Sequence, residues 1–259
     1  MAKREDIAVF AISYDPVATL ADFASDHGIT YPLLADVGSI QIERLGLLND
    51  TIEAERAAWG REMDDRHRRL PYPGTFLLDR DGVVIERKFE RSHRLRPSGS
   101  LLIEDLMGEE LDPAVTSSDA APGVQAAAWL VEDTFFPGQR LYAHVRLHID
   151  QGLHLYVPPL GEGYVPLRLT IDDLSELTVE LPELPTGRPF QIAGLADEFF
   201  VVEGTLDIRV PFYFSDERDE DAGLAIKVGY QACDESACFA PEELKLELPI
   251  KYLPIPHPS

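Results

Sequence analysis

Two cysteines, Cys233 and Cys238, are the residues whose type and spacing point most directly to chemistry. They lie between two apolar segments of strand length, 224–230 and 244–250. A short connection between strands can hold two sulfurs within bonding reach. A bond there would close a ring of six residues and stabilise the fold by about 2 kcal/mol, which is small for a structural disulfide. The spacing favours a pair that opens and closes, while an inert local bridge or two buried free thiols remain compatible with it.

The composition is that of a globular and strongly acidic chain. Its 259 residues are 45% hydrophobic and 27% charged, enough for one or two domains with sizeable cores. Lys and Arg number 23 against 46 Asp and Glu, a net charge of −23, so we expect no nucleic-acid partner. No apolar segment approaches the roughly 18 residues of a membrane span, and the start lacks the apolar core of a signal peptide. We expect a cytoplasmic protein as the sequence stands, or a periplasmic or other extracytoplasmic one if an amino-terminal segment is missing.

The first 111 residues predict an α/β domain. An apolar run of strand length is followed by segments with helical spacing, which Gly28 and Gly46 are well placed to end. A turn at 79–82 then joins two segments that read as a hairpin. The predicted order is strand, helix, helix, hairpin and helix, at 7–13, 16–27, 39–45, 75–89 and 101–107.

The rest of the chain predicts an all-β domain. Residues 112–123 are small and polar with two prolines, which we interpret as a linker. Apolar and polar residues then alternate at 141–149, 206–210 and 244–248, the pattern of half-buried strands. The sequence therefore predicts two domains, an α/β domain at 1–111 and a β-sandwich at 124–259.

The cysteine segment resembles the amino-terminal domain of the thiol:disulfide interchange protein DsbD. Tyr230, Gln231, Cys233, Cys238 and Pro241 carry the resemblance, and weaker similarity extends over about 124–252. It implies an immunoglobulin-like sandwich whose Cys233/Cys238 pair cycles between dithiol and disulfide with a partner thiol–disulfide protein.

The same resemblance implies further site residues. His154 and Tyr156 match positions near the cysteine pair in that family. The family also shields its cysteines with a cap loop, for which the candidates here are Asp197, Glu198, Phe199 and Phe200. A plain loop with core phenylalanines is the alternative.

The first domain resembles the AhpC/TSA redoxins, which are peroxiredoxin-like proteins of the thioredoxin fold. Segments 9–15, 28–36 and 73–82 carry the resemblance, which covers about 6–107. It implies a cis proline at Pro73, facing the active site. No cysteine precedes Cys233, so the cysteine segment of the redoxins is missing. We therefore expect an incomplete thioredoxin-like domain, truncated at its amino end or degenerate, and no peroxidase activity in this chain. A peroxidase whose missing cysteine lies upstream is a further alternative.

Together these features predict a thiol–disulfide oxidoreductase-type protein that requires no metal or cofactor. We expect Cys233 to attack a partner's disulfide and Cys238 to resolve the mixed disulfide. Asp234 and Glu235 should raise the pKa of the neighbouring thiols. The alternative is a non-catalytic module that binds a redox partner and carries a permanent Cys233–Cys238 bridge beside a degenerate redoxin domain.

Overall fold

The computed structural model describes residues 6–58, 60–64, 69–90, 92, 95–160, 163–172, 174–191, 198–218 and 220–254. They divide into two compact units, one running to Glu109 and the other beginning at Glu110. Within these ranges, no helix has both the length and the apolar character that crossing a membrane requires.

The first unit combines short helices with two separate pairs of strands. β1 and β2 pair in parallel, whereas β3 and β4 form an antiparallel hairpin. The elements are β1 (Ala11–Ser13), α1 (Val17–Asp26), β2 (Leu33–Ala35), α2 (Ile40–Arg44), α3 (Ile52–Ala58), β3 (Gly74–Leu78), β4 (Val84–Phe89), β5 (Arg96–Pro97) and α4 (Gly99–Met107). The unit is α/β, as the sequence predicts, with β2, α3 and β5 in addition.

The helix ends of this unit follow from local chemistry. Gly28 and Gly46 have φ of 61° and 71° and follow α1 and α2, a left-handed conformation that glycine adopts without steric cost. Ser98 caps the amino end of α4, where its hydroxyl accepts a hydrogen bond of 3.0 Å from the Leu101 amide. The first strand is shorter than predicted, since residues 7–10 lie outside β1. Phe10, next to it, is 61% exposed.

The second unit is a mainly antiparallel β-sandwich. Its strands are β6 (Val115–Ala121), β7 (Val124–Leu130), β8 (Thr134–Phe135), β9 (Gln139–Ile149), β10 (His154–Val157), β11 (Arg168–Ile171), β12 (Leu177–Val179), β13 (Arg188–Gln191), β14 (Glu198–Val202), β15 (Thr205–Phe214), β16 (Ala222–Tyr230), β17 (Ala232–Cys233) and β18 (Glu242–Tyr252). They form sheets in the orders β12-β15-β9-β7-β6, β11-β16-β18-β8 and β13-β14-β10-β17. The third, smaller sheet carries Cys233.

One hydrophobic core fills the space between the two larger sheets. Side chains that alternate along β9 and β18 point into it, among them Val145, Leu147, Leu246 and Leu248, each fully buried. Their exposed neighbours are polar, so the predicted period-two strands are observed with the predicted face inward. The all-β class of this unit is confirmed.

The predicted linker at 112–123 is wrong. Residues 115–121 form β6, which pairs with β7 along its whole length through a turn at Gly123. Two polar side chains of β6 also bond to the backbone of β18: Ser117 Oγ accepts from the Glu247 amide at 3.1 Å, and Asp119 Oδ2 accepts from the Lys245 amide at 2.9 Å. Composition typical of a loop therefore forms a strand, because its polar side chains bond to backbone amides of another strand.

Candidate functional site

The two cysteines form a disulfide at the base of a short hairpin loop. The Asp234 amide donates to the Ala237 carbonyl, and the Phe239 amide donates to the Ala232 carbonyl, each at 2.9 Å. These bonds bring Cys233 and Cys238 opposite one another as a bridge between antiparallel segments. The backbone of the loop therefore brings the two sulfurs together.

Asp234 fixes the turn from within. Its Oδ1 accepts from the Ser236 amide at 2.7 Å and from the Ser236 hydroxyl and the Ala237 amide at 2.8 Å. These hydrogen bonds, the one from the Ser236 side chain first, lower the pKa of Asp234. The carboxylate next to Cys233 in the chain therefore stays charged at neutral pH.

The two sulfur-bearing residues differ sharply in exposure. Cys233 is 1% exposed, whereas Cys238 is exposed and precedes Phe239, whose side chain is 49% exposed. A protein that approaches this loop therefore meets Cys238 first. This asymmetry runs against the expectation that Cys233 is the attacking residue.

A small apolar cluster encloses Cys233. Its buried members are Tyr156, Phe199 and Val201, and Tyr164 and Phe190 pack at its margin. The Tyr164 ring lies 5.0 Å from that of Phe199 and 5.2 Å from that of Tyr156. Burial raises the pKa of Tyr156. Packing within this cluster buries Cys233.

The candidate cap residues lie in a strand rather than a loop. Asp197 is outside the described residues, while Glu198, Phe199 and Phe200 begin β14, which pairs with β13. Phe199 points to the Cys233 cluster, and Phe200 packs against the main core. The alternation of a strand therefore replaces the predicted loop, although one of its phenylalanines does contact the cysteine cluster.

His154 lies beside Cys233 on the neighbouring strand. The two residues are direct partners in the antiparallel pairing of β10 and β17. The His154 ring is 4.6 Å from the Phe190 ring and 5.4 Å from the Tyr156 ring, and the residue is 3% exposed. Burial is the largest influence on the pKa of His154 and lowers it, so the imidazole is neutral at neutral pH.

The other predicted supporting residues have separate positions. Gln231 Nε2 donates to the Phe239 carbonyl at 2.9 Å and so ties the two sides of the cysteine loop together. Tyr230 points into the main core, where its hydroxyl donates to the Pro122 carbonyl at 3.2 Å and burial raises its pKa to about 12. Pro241 is exposed and immediately precedes β18.

The predicted cis proline at Pro73 is wrong. In the described part of the chain the cis peptide bond is that between Pro158 and Pro159, and Pro73 follows a trans bond. The Tyr72 amide donates to the Leu47 carbonyl at 2.6 Å and the Glu90 amide to the Pro73 carbonyl at 3.0 Å, which keeps the chain extended into β3. Pro73 lines a cavity of about 250 Å³ within the first unit.

Sequence reasoning missed Tyr164, Phe190 and Val201 as neighbours of the cysteines. Phe190 and Val201 lie on strands that form the third sheet with β10, and Tyr164 reaches the cluster from a loop. The alternation of Phe199 and Val201 was a usable signal for two of the cluster positions on β14. Among the described residues, no three side chains of His, Cys, Asp or Glu come together in a way that could hold a metal ion.

The second unit is thus a β-sandwich whose disulfide joins a buried cysteine to an exposed one, in a loop between strands. Comparison with protein families is consistent with this class. Residues 126–249 match the model of the thiol:disulfide interchange protein DsbD, amino-terminal domain, and residues 2–87 match that of the AhpC/TSA family. Each match covers less than half of the chain, and both resemblances read from the sequence are confirmed.

Similarities to solved structures are weaker. The amino-terminal periplasmic domain of ScsB from Proteus mirabilis is 16% identical, with a TM-score of 0.37, over 53% of this chain and 51% of that one, so the match spans about half of the ScsB domain. The reduced DsbD amino-terminal domain of Neisseria meningitidis is 17% identical, with a TM-score of 0.29, over 42% of this chain and 77% of that one. The complex between the DsbD and PilB amino-terminal domains of the same organism gives 14% identity and a TM-score of 0.29 over 54% and 88%. No curated protein matches the chain.

Proposed function

We propose that the second unit transfers electron pairs between protein dithiols and disulfides through Cys233 and Cys238. The observation that carries this proposal is the disulfide between an exposed and a buried cysteine. One sulfur can then be reached by another protein, while the other stays within the domain to resolve the mixed disulfide.

The exposure assigns a role to each sulfur. A thiolate of the reduced partner attacks Cys238 Sγ, the bond between Cys238 and Cys233 breaks, and its electron pair leaves on Cys233 Sγ. A second thiolate of the partner then attacks the partner's other sulfur, which is bonded to Cys238 in the mixed disulfide. Cys238 is released as a thiolate. The domain leaves reduced by two electrons, and the partner leaves as a disulfide. The reverse sequence reduces a partner, with Cys233 as the resolving residue.

The partner class is a thiol–disulfide protein. The match to the DsbD amino-terminal family supports this assignment. Phe239, exposed beside Cys238, offers apolar contact area for such a partner. To the first unit, in which the sequence holds no cysteine, we assign the role of a redoxin-like platform.

Single-cysteine variants test this function. Cys233→Ser should trap a mixed disulfide between Cys238 and a thioredoxin-fold protein with one active-site cysteine, whereas Cys238→Ser should trap little. Both variants should lose turnover of the partner in a coupled assay. Retained turnover in either variant would show that the pair is not the carrier.

The competing function is a binding module with a permanent bridge. The bridge closes a small ring and so stabilises the fold by only about 2 kcal/mol, which argues against a purely structural role. Equilibration against glutathione separates the two functions. A reduction potential below about −300 mV supports the permanent bridge, and one in the range of thioredoxin-type proteins supports transfer. The compartment stays a prediction, which cell fractionation would test.

A further inference from the structure

His154 carries a buried nitrogen that bonds to nothing in the described part of the chain. The residue is 3% exposed, and its Nε2 has no hydrogen-bond partner there. Buried polar groups are normally paired, because burial removes the water that would bond to them. A histidine kept in this state beside a disulfide calls for an explanation.

The position of His154 relative to Cys233 supplies one. Directly opposed residues of an antiparallel pair point to the same face with Cβ atoms roughly 4.5–5.5 Å apart, and His154 opposes Cys233 in this way. The rings that contact His154, those of Tyr156 and Phe190, belong to the cluster around Cys233. The imidazole and the buried sulfur therefore share one apolar environment.

The charges around this environment are few. Glu203 lies beyond the end of β14 and is paired with Arg188 of β13, and Asp234 follows Cys233. The two carboxylates favour a protonated His154, while Arg188 and burial oppose it. Tyr156, on the same strand as His154, has a raised pKa and stays neutral. A charge that forms on Cys233 therefore has the His154 ring on the paired strand as a neighbouring group that can take up or give a proton.

We propose that His154 exchanges a proton with Cys233 whenever the disulfide opens or closes, a role that rests on the transfer function proposed above. In the closing step the Cys233 thiol gives its proton to the neutral imidazole. The thiolate attacks Cys238 Sγ of the mixed disulfide, the Cys233–Cys238 bond forms, and the partner leaves as a thiolate. The imidazolium then releases its proton to solvent.

Opening follows the same path in reverse. Solvent first protonates the imidazole. As the partner's thiolate attacks Cys238, the electron pair of the broken bond arrives on Cys233 Sγ, and the imidazolium gives that proton to it. A bare thiolate would be costly within the apolar cluster of Tyr156, Phe199 and Val201. The proton therefore makes Cys233 a better leaving group despite its burial. In the dithiol state the thiol of Cys233 also gives His154 Nε2 the hydrogen-bond partner that it lacks among the described residues in the disulfide state.

Thiolate absorbance near 240 nm tests this coupling in the full chain without any partner protein. In Cys238→Ser, Cys233 is the single thiol. Adding His154→Gln should raise the pKa of Cys233 by about one pH unit, a tenfold loss of thiolate at a given pH below it. The matched control adds His148→Gln, because His148 is an exposed histidine of β9 bonded to Thr205. That control should leave the titration unchanged.

A second measurement needs no substitution and covers the case in which His154→Gln fails to fold. In the dithiol form of the unaltered chain, the imidazole resonance of His154 should change at the pH where Cys233 ionises. The disulfide form should lack that inflection. If neither the absorbance nor the resonance shows coupling, the role of His154 is overturned while transfer itself can stand. If coupling is present but no partner dithiol reduces the disulfide, the proposed transfer function fails instead.

Discussion

At the scale of single residues, Asp234 determines how tightly the two sulfurs are held together. One carboxylate oxygen accepts three hydrogen bonds from Ser236 and Ala237. We expect Asp234→Ala to loosen the turn, so that the dithiol state becomes more stable relative to the disulfide. Equilibration with glutathione should then show a disulfide that is reduced several-fold more readily.

The control for this variant is Asp234→Asn, which keeps an acceptor oxygen and should stay near the unaltered chain. Lowering the pH should make the disulfide easier to reduce, as the alanine substitution does. Because the folded pKa of Asp234 is lowered from 3.8, its contribution to stability is present above that value and is lost as pH falls through the lower, folded pKa. A disulfide equally stable in all three chains would contradict this role.

Single residues of the site differ in how far the sequence predicts them. The cysteine pair and His154 were found because the chain places them in a recognisable motif. Cys233 is buried because it pairs with β10 and packs against side chains of β10 and β14. Those strands are distant in sequence, so no local pattern reveals which cysteine is exposed.

At the scale of secondary-structure elements, β14 joins the two cores of the second unit. Phe199 and Val201 face the cysteine cluster, and Phe200 and Val202 face the main core. We expect Phe199→Ala to lower the free energy of unfolding by about 3 kcal/mol, through lost burial and the cavity left behind. It should also speed alkylation of Cys233 in the reduced chain. Denaturant unfolding and timed alkylation measure the two effects.

Phe239→Ala is the matched control, since it removes the same side chain from an exposed position near the other cysteine. We expect its unfolding free energy to change by no more than about 0.5 kcal/mol. Equal losses in the two variants would mean that Phe199 does not stabilise the cluster through burial.

Elements whose burial follows a simple period were predictable, and those held by side-chain bonds to the backbone were not. β9 and β18 alternate because one face meets the core. β6 has no such stripe, since residues such as Ser117 and Asp119 form bonds across to β18. β14 was not predicted, because only five residues form it and the family resemblance suggested a loop.

At the scale of the whole molecule, the second unit has a core of its own. Its large cluster draws on strands from β7 to β18, all within residues 110–254. We expect a protein of residues 110–254 to unfold cooperatively and to exchange its disulfide at the rate of the full chain. Thermal unfolding and stopped-flow exchange measure both properties. Slower exchange in the shorter protein would show that the first unit contributes to transfer.

The bonds from Ser117 and Asp119 to β18 have a consequence for how copies of this chain meet one another. An unpaired row of strand amides invites a second chain to add a strand, which is how fibrous aggregates begin. Here Lys245 and Glu247 donate to side chains of the same molecule, and Asp119 adds a charge that repels an identical neighbour. The polar strand β6 thus occupies amides of β18 that would otherwise be open to a strand of a second copy of the chain.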